Sequence, residues 1–138
     1  MHLLRILIVD DFEPWVHLLQ SILQQEPLFH VVCTASDGQA ALHNAEELKP
    51  DLVLLDIDLP SINGIDLARS FQRIRPRPLV LFVSQHLDPS TIRAALEAGG
   101  SGYIVKMDVH RELMKAIAMV CEGKKFLSSM ALKSMEER

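Results

Sequence analysis

The chain is predicted to fold as a doubly wound α/β domain, a parallel sheet with helices on both faces. Three observations lead there. Five short apolar runs rich in Val, Ile and Leu recur without strict alternation, as expected of strands covered on both sides. Between them lie segments whose apolar residues have helical spacing, so strand and helix alternate five times. The connections are short, which makes parallel strands with helical crossovers the natural packing.

The runs are residues 6–9, 30–35, 52–55, 79–83 and 103–105. Residues 13–25 place Trp15, Leu18, Leu19, Ile22 and Leu23 on one side of a helix, and Pro14 suits its first turn. Residues 37–48 begin with a capping acid and turn Ala41, Leu42, Ala45 and Leu48 inward. Residues 65–74 offer Leu67, Ala68, Phe71 and Ile74 before Arg75-Pro76-Arg77-Pro78 ends the helix. Asp88-Pro89 opens a helix over 89–98, and Gly99-Gly100 closes it. Asp108 can cap the last helix, whose buried stripe is Leu113, Met114, Ile117 and Val120. From Gly123 the pattern weakens. The stretch GKKFLSSMALKSMEER could begin a helix at Ser128 or Ser129, with too few apolar residues to pack alone. The expected division is one domain over 1–122 and a linker or trailing helix over 123–138.

A chain of 138 residues suits a single core of ordinary size. Hydrophobic residues make up 49% and aromatics only 5%, so that core is aliphatic. Eighteen acids against fourteen basic residues leave a net charge of -4, which argues against nucleic-acid binding by this segment itself. Cys33 and Cys121 form neither a ligand spacing nor a disulfide framework and fit a reducing, cytoplasmic setting. The opening MHLLRILIVDD is too short and too charged for a signal peptide or a membrane span, and no membrane association is expected.

In a parallel sheet the residues just after each strand gather along one edge, where ligands of such folds bind. The first polar residues after the five runs are Asp10 and Asp11, Ser36, Asp56, Ser84 and Lys106. Singly, each has a plain explanation: Asp11 as a helix cap, Ser36 and Ser84 as turn hydroxyls, Lys106 as a solvated end. Together, three clustered carboxylates repel one another and make sense around a hard divalent cation, with Mg²⁺ the best match to oxygen ligands in a hydrated site. A nearby lysine and hydroxyl would then hold further oxygens of an anion bridged by the metal. A phosphoryl group fits, and a carboxylate can be its acceptor. Without metal, the three acids are expected to raise one another's pKa.

The segments ILIVDD, LVLLDIDLPSINGIDL, LVLFVSQH and AALEAGGSGYIVK resemble the response regulator receiver (CheY-like) family. AALEAGGSGYIVK is most similar to the NarL/FixJ (LuxR-type) branch. The resemblance covers about residues 4–122, and its motifs are specific jointly, through order and spacing. It implies a (βα)5 flavodoxin-like fold with a five-stranded sheet of order 2-1-3-4-5. It implies that Asp56 accepts a phosphoryl group from a phosphohistidine on a sensor histidine kinase or phosphotransfer protein. Asp10, Asp11, Asp56 and the Asp58 backbone carbonyl would hold Mg²⁺, while Lys106 and Ser84 would bind phosphoryl oxygens. Ser84 and Tyr103 would carry a switch to the surface of the fourth helix, fifth strand and fifth helix, a surface often used for homodimers. No turnover of a separate substrate is implied, only the domain's own phosphorylation and dephosphorylation. The NarL-like wording suggests a receiver that feeds a helix-turn-helix DNA-binding output, so that DNA would be met through a C-terminal domain absent from this chain; a stand-alone receiver acting by protein contact is the alternative.

Two positions depart from the common pattern. Gln85 stands where the family usually has alanine or glycine, and Asp58 adds charge two residues after the acceptor; both are expected to alter phosphoryl turnover. Asp56-Ile57-Asp58 also resembles the nucleophile motif of haloacid-dehalogenase-type phosphatases. Leu59, the position after the third strand, and an otherwise unexplained Asp10-Asp11 pair weigh against that rival. Gly99-Gly100-Ser101-Gly102 ends a helix instead of opening one, so it is a turn and not a phosphate loop. His86 is the one histidine near the rim and is expected to be a solvated loop residue.

Overall fold

The apolar runs become strands because both of their faces find helices. In the computed structural model, which describes residues 2–136, β1 (Leu4–Val9), β2 (Phe29–Ala35), β3 (Leu52–Leu55), β4 (Leu79–Ser84), β5 (Gly102–Val105) and β6 (Phe126–Leu127) form one parallel sheet of order β2-β1-β3-β4-β5-β6. The expected order 2-1-3-4-5 is present within it, but the sheet has six strands, not five. Phe126 and Leu127 pair with Gly102 and Tyr103 at the edge. Two residues carry no periodicity, so nothing local marks them as a strand. A glycine at 102 favours the pairing, since a Cβ there would lie 3.0 Å from the Phe126 carbonyl oxygen.

The helices are α1 (Glu13–Leu23), α2 (Gly38–Leu48), α3 (Gly64–Phe71), α4 (Pro89–Glu97), α5 (Val109–Cys121) and α6 (Ser129–Glu136). Alternate side chains of each strand serve two cores. Ile6, Ile8, Leu52, Leu54, Leu81 and Ile104 meet α1 and α5, whereas Leu7, Val9, Val53, Leu55, Phe82 and Tyr103 meet α2, α3, α4 and α6. Two caps follow the sequence signals, Asp37 accepting from Ala40 N (2.8 Å) and Asp88 from Thr91 N (3.1 Å), and Asn63 adds a third by accepting from Asp66 N (2.9 Å).

Three local expectations are corrected. Leu48 is exposed at the end of α2, and Trp15 and Leu18 lie at the margin of the α1 face whose centre is Val16, Leu19, Ile22 and Leu23. Asp108 precedes α5 but makes no side-chain cap there, because a 3₁₀ turn at Lys106–Asp108 leads into that helix. Its Oδ2 accepts from Met130 N (2.9 Å) and so serves the start of α6. Around it, Ser128 Oγ accepts from Val105 N (3.0 Å) and the Glu112 carboxylate from Ser129 N (3.1 Å). Ala131 is fully buried, and Ser134 Oγ donates to the Leu87 carbonyl on the loop after β4. The helix expected at Ser128 or Ser129 begins at Ser129 and packs on α4 and β5.

Candidate functional site

Strand register assembles the rim. Val9 stands opposite Leu55, so Asp10 and Asp56, each one residue further on, leave adjacent strands side by side. Ser84 stands opposite Val105, which puts the Ser84 hydroxyl beside the start of Lys106. The loop after Asp56 turns back at Gly64, whose N–H donates to Ile57 O (2.8 Å). A Cβ on Gly64 would run into the Asp56 carbonyl oxygen, so that turn needs glycine.

Asp10 and Asp56 are buried and Asp11 is exposed; carboxylate oxygens from the three lie within 4.8 Å of one another. Lys106 Nζ is 2.9 Å from Asp10 Oδ2 and 3.5 Å from Asp56 Oδ2, with only 11% of its side chain exposed. Asp56 Oδ1 accepts from Ile57 N (2.8 Å), and Asp10 Oδ1 from Phe12 N (2.9 Å). These bonds orient both carboxylates toward a hollow of about 290 Å³ between the β1, β3 and β5 ends. The Asp56 carboxyl is pushed from its ordinary 3.8 to about 6, first by burial and then by the Asp10 charge, against the pull of Lys106. Charge was the expected cause; loss of water is the larger one. Oxygen donors crowded at this spacing around an open, polar-lined hollow fit a hard divalent cation.

The other sequence-predicted residues surround this centre. Ser84 is fully buried, and its Oγ accepts from His86 N (3.1 Å). Tyr103 is fully buried, stacks on Phe82 at 6.2 Å and donates its hydroxyl to the His86 carbonyl (2.8 Å). Gln85 and Asp58 are exposed at the mouth of the hollow. Ser36 is exposed, outside the carboxylate cluster.

The chain matches the family described as the response regulator receiver domain over residues 6–118. It belongs to that family. The receiver is 34% identical over 120 residues to the transcriptional regulatory protein DegU of Brevibacillus brevis, an alignment covering 87% of this chain and 51% of the relative. It superposes on a LuxR-family two-component response regulator from Aurantimonas sp. SI85-9A1 with a TM-score of 0.91 at 28% identity, over 96% of this chain and 95% of that one. The receiver domain of the response regulator NarL from Mycobacterium tuberculosis gives 0.84 at 27%, over 90% and 100%. The kinship expected from AALEAGGSGYIVK, with receivers of LuxR and NarL type, is therefore found. The receiver spans about half the length of DegU. Among its described residues no helix is long and apolar enough to cross a membrane.

Two neighbours of the site carried no local signal. His86, expected to be solvated, is half-buried with Nε2 2.9 Å from the Asp58 carboxylate. They meet because β3 and β4 are adjacent and both loops leave at the same edge, a tertiary fact. Trp15 lies with its ring centroid 5.0 Å from Lys106 Nζ. Its helical spacing identified it only as an apolar residue of α1.

Proposed function

We propose that Asp56 is the phosphoacceptor of a two-component signalling pathway. The observation that carries this is the buried Asp56 carboxylate, gathered with Asp10 and Asp11 within 4.8 Å and faced by Lys106 at 3.5 Å. Asp10, Asp11, Asp56 and the Asp58 backbone carbonyl would hold Mg²⁺, which when bound supplies the positive charge that lets a phosphoryl group approach three acids. The donor is a phosphohistidine on a sensor histidine kinase or phosphotransfer protein. An Asp56 carboxylate oxygen attacks phosphorus; the P–N bond breaks, and its electron pair returns to the imidazole nitrogen. Ile57 N–H holds Oδ1 while Oδ2 faces Lys106, so the nucleophile is oriented before the donor arrives. The Lys106 ammonium and the Ser84 hydroxyl take the phosphoryl oxygens as negative charge accumulates.

Phosphorylation then shifts an existing equilibrium of the loop after β4, through Ser84 and the Tyr103 hydroxyl that holds the His86 carbonyl. Asp58 and Gln85, at the mouth, set the turnover of the phosphoryl group. A receiver core over 1–122 with a trailing segment whose β6 and α6 pack back onto it, Mg²⁺ as resident ion, homodimerisation and a cytoplasmic setting complete this reading. In the longer protein the output is DNA binding by a helix-turn-helix domain, supported by the name of DegU as a transcriptional regulator and by the LuxR-family structure.

Intact-mass measurement after acetyl phosphate and Mg²⁺ tests the chemistry. One added phosphoryl group is expected, not gained when a chelator is present from the start and absent in Asp56→Asn. A variant that still gains the group, or a wild type that never does, overturns the assignment.

A further inference from the structure

We infer that Trp15 is a positioning residue that holds the Lys106 ammonium over Asp56. The inference rests on the phosphoacceptor reading. Lysine is a compact charge on a four-carbon stem with many rotamers, so a functional position needs something to hold it. In this structure Lys106 Nζ has two carboxylate partners, and the nearer is Asp10 at 2.9 Å, not Asp56 at 3.5 Å. A cation bound by the carboxylates would compete with that arrangement. Asp10 would then share its charge with the metal, and the tighter of the two anchors would weaken when Lys106 is needed on the phosphoryl group.

The indole is the remaining neighbour. Its centroid lies 5.0 Å from Nζ, within the range at which the negative face of the ring attracts an ammonium. The pair is largely shielded, since Lys106 is 11% exposed and Trp15 is half-buried. The attraction is therefore at the stronger end for such pairs. Trp15 also packs at the edge of the α1–α5 core, which fixes the ring. An indole neither binds the divalent cation as a carboxylate would nor changes charge when the site is phosphorylated. It gives Lys106 the same seat in both states. The placement follows from α1, which carries Pro14 in its first turn and brings Trp15 to the hollow one residue before the buried Val16.

The test uses the whole chain with beryllofluoride as the phosphoryl probe, at saturating Mg²⁺, and Mg²⁺ alone as the metal probe, both by calorimetry. Trp15→Leu should weaken beryllofluoride binding about fivefold, Trp15→Phe should retain most of the affinity, and Mg²⁺ affinity should change less than twofold in both. Trp15 is the sole tryptophan, so its emission in the folded wild type should also differ from that in Lys106→Ala, a readout independent of whether Trp15→Leu folds. Wild-type affinity in Trp15→Leu, equal losses in Leu and Phe, a parallel loss of Mg²⁺ affinity, or identical emission with and without Lys106 would each overturn the assignment while leaving Asp56 as acceptor. A wild type that binds beryllofluoride no better than Asp56→Asn would overturn both.

Discussion

The five buried polar residues of the described chain divide between two places. Asp10, Asp56 and Ser84 lie at the rim of the sheet, and Asp108 and Ser128 lie under α6. Under α6, backbone donors meet the oxygens: Met130 N reaches Asp108 and Val105 N reaches Ser128. The second Asp108 oxygen makes no hydrogen bond and has Arg111 3.6 Å away. At the rim the carboxylates face each other and share a single lysine, and the Asp56 carboxyl is pushed up to about 6. All five are buried, at 5% exposure or less. Backbone donors reach the rim acids as well, Phe12 N to Asp10 and Ile57 N to Asp56; what sets the rim apart is that its carboxylates also confront one another as like charges.

Substitutions should therefore have opposite signs in the two places. The largest effect is expected for Asp108→Ala, which strips Met130 N of its acceptor and should cost about 3 kcal/mol. Asp108→Asn keeps an acceptor and should cost less than half of that; urea midpoints measure both, and equal losses would discard the cap. Asp56→Asn, by contrast, should stabilise the metal-free receiver. A shift from 3.8 to about 6 corresponds to about 3 kcal/mol, or about 2 after solvent screening. Because burial raises this pKa, the ionised wild type carries the full penalty above pH 6. The penalty shrinks as pH falls through 6 and is gone below 3.8, so the advantage of the variant should vanish over that window. An advantage independent of pH would point to packing instead.

Ser128→Ala should lower stability by about 1 kcal/mol through the orphaned Val105 N, read as a lower urea midpoint. An effect of similar size concerns Mg²⁺, which should stabilise the wild type by about 1 kcal/mol at a fivefold excess over its dissociation constant. Asp56→Asn should gain less. Equal melting shifts in the two proteins would separate Asp56 from the metal.

The rim was legible in the sequence because strand ends are local signals and parallel strands point one way. Asp10, Asp56 and Lys106 needed only the knowledge of where each apolar run stops. The α6 corner was not legible. Asp108 looks like the cap of the helix it precedes, and its actual partner is 22 residues away. Phe126 and Leu127 are too few to show a period, and only the edge of β5 makes them a strand. His86 and Trp15 were hidden for the same reason: each meets its partner through neighbouring elements, and spacing within one element says nothing of that. Asp56 directly follows its apolar run, whereas Asp108 stands three residues after Val105 with Lys106 between.

The loop after β4 is gripped at two successive carbonyls. Tyr103 holds that of His86 from inside the sheet, and Ser134 holds that of Leu87 from α6. Loop and helix thus behave as one mechanical part with two rivets. Neither carbonyl can rotate without releasing a rivet, so any displacement of this loop would reach the last turn of α6 without crossing the core.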